Sequence, residues 1–241
     1  MNRIKIFLLV VLSLILTCTL QNKYATDDVL AIGKSGWSKV PRVVLVSPEN
    51  DSRIQATYEA IDFWNHTFAQ IGTSFRLGSV VRTAEKLPAN QMVLLSQNLL
   101  KRSDLFNIRE MSGDLILVLS DENFISFAYG SPSDLRLLDG KVLVAIKSQK
   151  IFPLTLPNVT RNLIAHEIGH AIGLGHNSDP TKLMCGRPAS CRPNLFESNQ
   201  KIFFPLSDEE KTILKKMYPP NWNPEEKTTL EKIYPLNWKP N

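Results

Sequence analysis

Four histidines occur in the 241-residue chain, and three of them, His166, His170 and His176, fall within eleven residues. Four positions apart, His166 and His170 lie one turn from each other on one helix face, where two imidazoles can grip a single metal ion. In an unbroken helix His176 would be rotated by about 240° from His170 and would point away. The helix must therefore stop first. Gly173 stands where a left-handed turn can reverse the chain, and Gly175 adds freedom. Three neutral imidazoles leave a fourth tetrahedral position for water, the arrangement of a catalytic zinc site rather than a structural one. Zinc lowers the pKa of water from 15.7 towards about 7. Glu167, beside the first ligand, is the carboxylate expected to take that proton and return it to a leaving amine. Peptide-bond hydrolysis is the reaction this predicts. Structural or solvated histidines, the bland alternative, would not require the interposed glutamate and glycine.

These residues need a helix over 157–173 and a sheet to carry it. Residues 43–46, 74–81, 92–95, 114–120, 125–129 and 142–147 are strand candidates, the fourth with the apolar run expected of a buried central strand. A first helix is marked by a capping box of Ser52 with Gln55 and by Gly72 after its last turn. Ile54, Tyr58, Ile61, Asn65 and Phe68 recur along it at helical spacing, with Trp64 and Ile71 widening the stripe. His66 falls on its polar side and reads as a surface residue. A mixed sheet followed by the 157–173 helix is the implied architecture.

Residues 1–20 differ in kind: Asn2, Arg3 and Lys5 precede an apolar run over 6–16, a signal-peptide pattern too short to span a bilayer comfortably. A retained membrane anchor is the alternative. Cleavage near Thr19 fits the small-residue rule, while Cys18 just after the apolar core is a lipidation site in a bacterium, and both readings stand. The product is expected to be secreted or periplasmic, touching a membrane only if Cys18 is lipidated. Residues 21–36 are a polar lead-in. Removing Arg3 and Lys5 takes the formal charge from +5 to +3, which is too small and scattered to argue for nucleic acid. An oxidising compartment would suit a Cys185–Cys191 disulfide, two separate thiols being the alternative. Asn50, Asn65 and Asn158 head Asn-x-Ser/Thr sequons.

The C-terminal region repeats itself: Lys211-Thr-Ile-Leu-Lys-Lys-Met-Tyr-Pro-Pro-Asn-Trp-Asn-Pro224 recurs as Lys227-Thr-Thr-Leu-Glu-Lys-Ile-Tyr-Pro-Leu-Asn-Trp-Lys-Pro240. Each copy opens with a helix signal, Ser207 with Glu210 in one and Asn223-Pro224 with Glu225 and Glu226 in the other. Tyr-Pro ends each helix. Two copies are too few for a solenoid, so the first is assigned to the domain and residues 220–241 to a duplicated tail.

His166-Glu-Ile-Gly-His-Ala-Ile-Gly-Leu-Gly-His176 resembles the metzincin signature, and the following Asn-Ser-Asp-Pro-Thr-Lys-Leu-Met184 is similar to the matrixin branch. Weaker similarity extends over residues 36–219, through 41–75 and from Leu206 to Tyr218. The resemblance implies an α+β zincin-like catalytic domain over 37–219. It would hold a mixed five-stranded twisted sheet, a long first helix, an active-site helix and a C-terminal helix. It further implies one catalytic zinc held by His166, His170 and His176, Met184 beneath it, Glu167 as base, and 125–129 as the edge strand that receives an extended peptide. As an ordinary core residue Met184 would pack in nearly the same place. Departures matter too. His66 is the sole spare histidine, so the second zinc site of vertebrate matrixins is not expected, nor is a cysteine-switch prodomain. Asn177 replaces the usual serine, Cys185-Gly-Arg-Pro follows Met184 in place of tyrosine and proline, and calcium has no assigned ligands. The expected partner is a peptide or protein substrate, and the expected state a monomer. A metal-containing adhesion protein using Trp222 and Trp238, or a zinc hydrolase of cell-wall peptides, are the competing functions.

Overall fold

Valine, isoleucine and leucine runs build a sheet whose two faces are both covered. The computed structural model describes residues 36–83, 89–97, 106–133, 138–186 and 201–223. Residues 1–35 with Cys18, and also Cys191 and the second repeat copy from 224, lie outside the described residues. In chain order the elements are β1 (Val43–Val46), α1 (Arg53–Gln70), β2 (Val80–Thr83), α2 (Ala89–Ser96), α3 (Phe106–Glu110), β3 (Leu115–Leu119), β4 (Phe127–Gly130), β5 (Val142–Ile146), α4 (Pro157–Ala171) and α5 (Asp208–Met217). The five strands form one mixed sheet in the order β2-β1-β3-β5-β4. Only β4, at the edge, runs antiparallel to its neighbour. This is the α+β, mixed five-stranded arrangement expected.

Successive strand residues feed two cores. Val43, Leu45, Leu115, Leu117, Val142 and Val144 pack in the core that includes Trp64 of α1 and Ile164 and Ile168 of α4. Val44, Val46, Ile116, Val118 and Leu143 face the other way, towards Met92, Leu95 and Ile108 of α2 and α3. Burial on both faces is why these strands read as continuous apolar runs instead of alternating ones.

Polar ties then fix how the helices sit. The Arg53 side chain is fully buried, and its guanidinium grips Asp51 through Nε and Nη2 at 2.9 and 2.6 Å. Its Nη1 donates to the carbonyls of Ser120 and Lys147, just beyond β3 and β5, at 2.9 and 2.7 Å. The start of α1 is thereby bolted to the carboxyl end of the sheet. Across the α1–α4 interface, Trp64 Nε1 donates to the Ala165 carbonyl at 2.9 Å and Arg161 Nε to Glu59 at 2.7 Å.

Several sequence expectations change for physical reasons. The Ser52–Gln55 capping box does not form: Ser52 is itself helical at φ −64° and ψ −14° and makes no cap bond. Asp51, fixed by Arg53, already accepts the Arg53 backbone N–H and puts negative charge at the positive end of the helix. The buried face of α1 contains Thr57, Ala60 and Trp64 while Tyr58 is exposed, because small side chains allow close approach to α4. Residues 92–95 belong to helix α2, where Met92 and Leu95, three apart, turn one face to the sheet. Of the strand expected at 74–81, only Val80 and Val81 join β2. The Asn65 side chain engages both the N–H and the carbonyl of Leu77, taking the place of a ladder. The 125–129 strand begins later, at Phe127, and leaves Ile125 77% exposed.

Burial alone would raise the Glu59 carboxyl, but hydrogen bonds from Lys201, Arg161 and Gln55 outweigh it and hold the pKa at about 2, below its ordinary 4.5. Its stabilising contribution is thus fully present above about pH 4.5 and is lost as pH falls towards 2. Glu59→Gln should lower stability at pH 7 by about 1–2 kcal/mol and flatten acid unfolding between those pH values, as read by urea titrations at each pH.

Candidate metal and catalytic site

The site starts from the way α4 ends. The helix stops at Ala171, two residues before the expected Gly173, which adopts φ +103°. The Gly173 N–H bonds back to the His170 carbonyl at 2.9 Å and the Leu174 N–H to that of Gly169 at 3.0 Å. Positive φ is available to glycine without Cβ strain, and the reversal brings His176 back over the helix. Gly175 carries no positive φ, so the turn depends on Gly173.

The three Nε2 atoms converge: 3.1 Å between His166 and His170, 3.0 Å between His170 and His176, and 3.2 Å between His176 and His166. His166 Nδ1 donates to the Leu183 carbonyl and His170 Nδ1 to the Leu174 carbonyl, each at 2.8 Å. A carbonyl oxygen only accepts, so both Nδ1 atoms carry the proton and both Nε2 lone pairs face inward. Burial, then the neighbouring His176, lower the His170 pKa to about 4, while the Leu174 carbonyl opposes them. Burial of the inward part of the ring also lowers that of His176, which keeps an exposed edge. Neutral rings with converging lone pairs repel one another unless a cation lies between them. Tetrahedral ligands at a Zn–N distance of about 2.0–2.1 Å would stand about 3.3–3.4 Å apart, within a few tenths of an ångström of the observed triangle. The donor set therefore suits a zinc ion. Glu167 is buried next to His166, and burial pushes its carboxyl up to about 8.

Residues far along the chain frame this triangle. Met184 is fully buried with its sulfur against Gly169, where a Cβ would come within 2.4 Å of Sδ. Glycine is thus required inside the histidine helix by packing, although it weakens helices. The His176 ring lies against Gly186, where a Cβ would come within 3.1 Å of it. Asn177 exchanges backbone bonds with Met184 and Gly186, and its side chain donates to Glu210. Glu210 also completes the expected capping box with Ser207. Asn177 therefore ties the segment after His176 to the start of α5. At the end of α4, Trp37 Nε1 donates to the Ala171 carbonyl and Tyr218 Oη to that of Ile172, each at 3.0 Å. Burial raises the Tyr218 phenol well above its ordinary range and keeps it a donor. Sequence reading missed Leu183 and Leu174 as supports, since backbone acceptors leave no signature, and Trp37 and Glu210, since their partners lie 134 and 33 residues away.

Other candidates separate from the site. His66 lines a surface groove with Asp62, Asn65, Ala69 and Arg76 and does not join the metal-competent cluster. Cys185 is buried, and its expected partner Cys191 lies outside the described residues. Trp222, assigned to the tail and to a possible adhesion device, is only 8% exposed and meets Phe75 edge-on at 4.9 Å. Its Nε1 donates to the Trp37 carbonyl. The ring thus belongs to the core and is not presented to a partner, and the folded unit extends past 219.

No family model and no curated protein matches the chain. Among solved structures the fold is similar to archaemetzincin from Methanopyrus kandleri, with a TM-score of 0.40 and 18% identity over 77% of this chain and 96% of that one. So distant a likeness carries no part of the functional assignment.

Gly169→Ala should destabilise the protein by about 1–3 kcal/mol despite alanine's better helix propensity, because the added methyl drives Met184 from its seat. Thermal unfolding together with zinc titration checks this, and Gly169→Ala/Met184→Ala should recover part of the zinc affinity lost in the single variant.

Proposed function

We propose that this chain is an exported zinc-dependent endopeptidase of the metzincin type, with His166, His170 and His176 as ligands and Glu167 as general base and acid. The observation that carries the reading is the triangle of Nε2 atoms 3.0–3.2 Å apart, with the Nδ1 atoms of His166 and His170 committed to carbonyls. Zinc bound there would supply Lewis acidity, making a water acidic and a peptide carbonyl electrophilic. Glu167 takes one proton from the water as its oxygen bonds to the carbonyl carbon. The same carboxyl then delivers that proton to the nitrogen as the C–N bond breaks, giving a carboxylic acid and an amine. Burial by itself raises the Glu167 carboxyl above its ordinary range. The charge of a neighbouring cation favours its ionised form.

The position of β4 at the sheet edge supports an extended peptide as substrate, since main-chain pairing holds a strand in its middle. The Ser178-Asp179-Pro180 segment and Met184 support the matrixin-like branch. Export rests on the basic head and apolar run of residues 1–20. Calcium remains without assigned ligands.

The test is zinc content by mass spectrometry of the metal, alongside cleavage of a mixed peptide library with and without a chelator. Glu167→Ala should keep one zinc per chain and lose at least about 10²–10⁴-fold in kcat/KM. His176→Ala should lose the metal as well. Undiminished cleavage by Glu167→Ala would reject the assignment.

A further inference from the structure

The repeat is longer than its most obvious stretch: residues 207–222 and 223–238 align without a gap, sixteen positions each, and ten are identical. The packing of the first copy shows what those identities preserve. Its buried residues are Glu210, Leu214, Tyr218 and Trp222, and their counterparts Glu226, Leu230, Tyr234 and Trp238 are the same residue types. None of the six changed positions is buried; among them the exposed Ile213, Lys215 and Pro220 become Thr229, Glu231 and Leu236. Half-buried Met217, whose sulfur lies where a Cβ on Gly173 would fall, becomes the similarly apolar Ile233. At the helix start, Ser207 and Asp208 become Asn223 and Pro224, a good N-cap followed by the residue best suited to the first helical position.

We infer that residues 223–238 are a second closing segment, able to replace residues 207–222 in the same slot of the same chain. The slot is built by Phe68 and Phe75, which Tyr218 meets at 5.5 and 4.0 Å between ring centroids. Trp37 and the Ile172 carbonyl complete it and bind the Tyr218 hydroxyl. Glu226 is the sequence counterpart of Glu210, the partner of Asn177. In the second register residues 207–222 form an excursion between Leu206 and Asn223, and the entropic cost of such a loop grows only slowly with its length. The tether makes exchange within one chain more favourable than exchange between chains.

Thermal unfolding of Tyr218→Ala, Tyr234→Ala and the double variant tests this in the full chain. Tyr234→Ala should leave the melting temperature unchanged and Tyr218→Ala should lower it by about 5 °C, the double variant falling on the order of 10 °C further. A double variant that melts no lower than Tyr218→Ala overturns the inference. Deleting residues 207–222, which joins Leu206 to Asn223, should give a folded protein melting within about 5 °C of the parent. An unfolded deletion variant also overturns it. Sedimentation of Tyr218→Ala should show a monomer; a concentration-dependent dimer would mean exchange between chains and would overturn the within-chain form.

Discussion

Three imidazole Nε2 atoms converge at 3.0–3.2 Å, and those of His166 and His170 turn their lone pairs inward, so the cluster is built to share a proton or a cation. Much of the surrounding structure can be understood as what holds that cluster together. Two rings come from consecutive turns of α4, and the third returns only because the chain turns at Gly173 with φ +103°. Carbonyls of Leu183 and Leu174 hold the protons of His166 and His170 on the outer nitrogens, so the inner ones present lone pairs.

Holding α4 in place falls largely to hydrogen bonds from aromatic side chains. Trp64 reaches the Ala165 carbonyl from α1, Trp37 the Ala171 carbonyl from the entry of the domain, and Tyr218 the Ile172 carbonyl from the end of α5. The last two satisfy acceptors that a helix leaves open at its end. Each indole or phenol also contributes a large apolar surface, so one residue supplies both packing and direction. This joins residues from 37 to 218 to a helix end in the middle of the chain.

The buried charges do similar work elsewhere. Arg53 with Asp51 ties α1 to the carboxyl ends of β3 and β5, and Glu59 with Arg161 ties α1 to the first turns of α4. Buried ion pairs add little net stability because desolvation offsets attraction. Their effect here is directional: sliding α4 along α1 would strand a guanidinium or a carboxylate. The apolar core fills the space, and the polar ties select one arrangement of it.

The legible parts of the sequence were those governed by local rules. Helical spacing placed His166 and His170 on one face, a glycine marked where the helix had to break, and apolar runs marked β1, β3 and β5. Ser207 and Glu210 announced their capping box because both partners are side chains of one turn. Misreadings arose where a distant partner decided the outcome. Met92 to Leu95 became helical because only that face fits the second core; Asp51 displaced Ser52 as the cap because Arg53 holds it; residues 74–79 lost their ladder to the Asn65 side chain. The placing of Trp222 beside Phe75 was likewise undetermined by its neighbours in sequence. The sequence by itself determined which imidazoles could converge, because a helical period and a glycine break are properties of adjacent residues. Only the tertiary structure decided what holds them there, because the acceptors are backbone carbonyls and the donors lie up to 134 residues away, and neither leaves a mark in residue type or spacing.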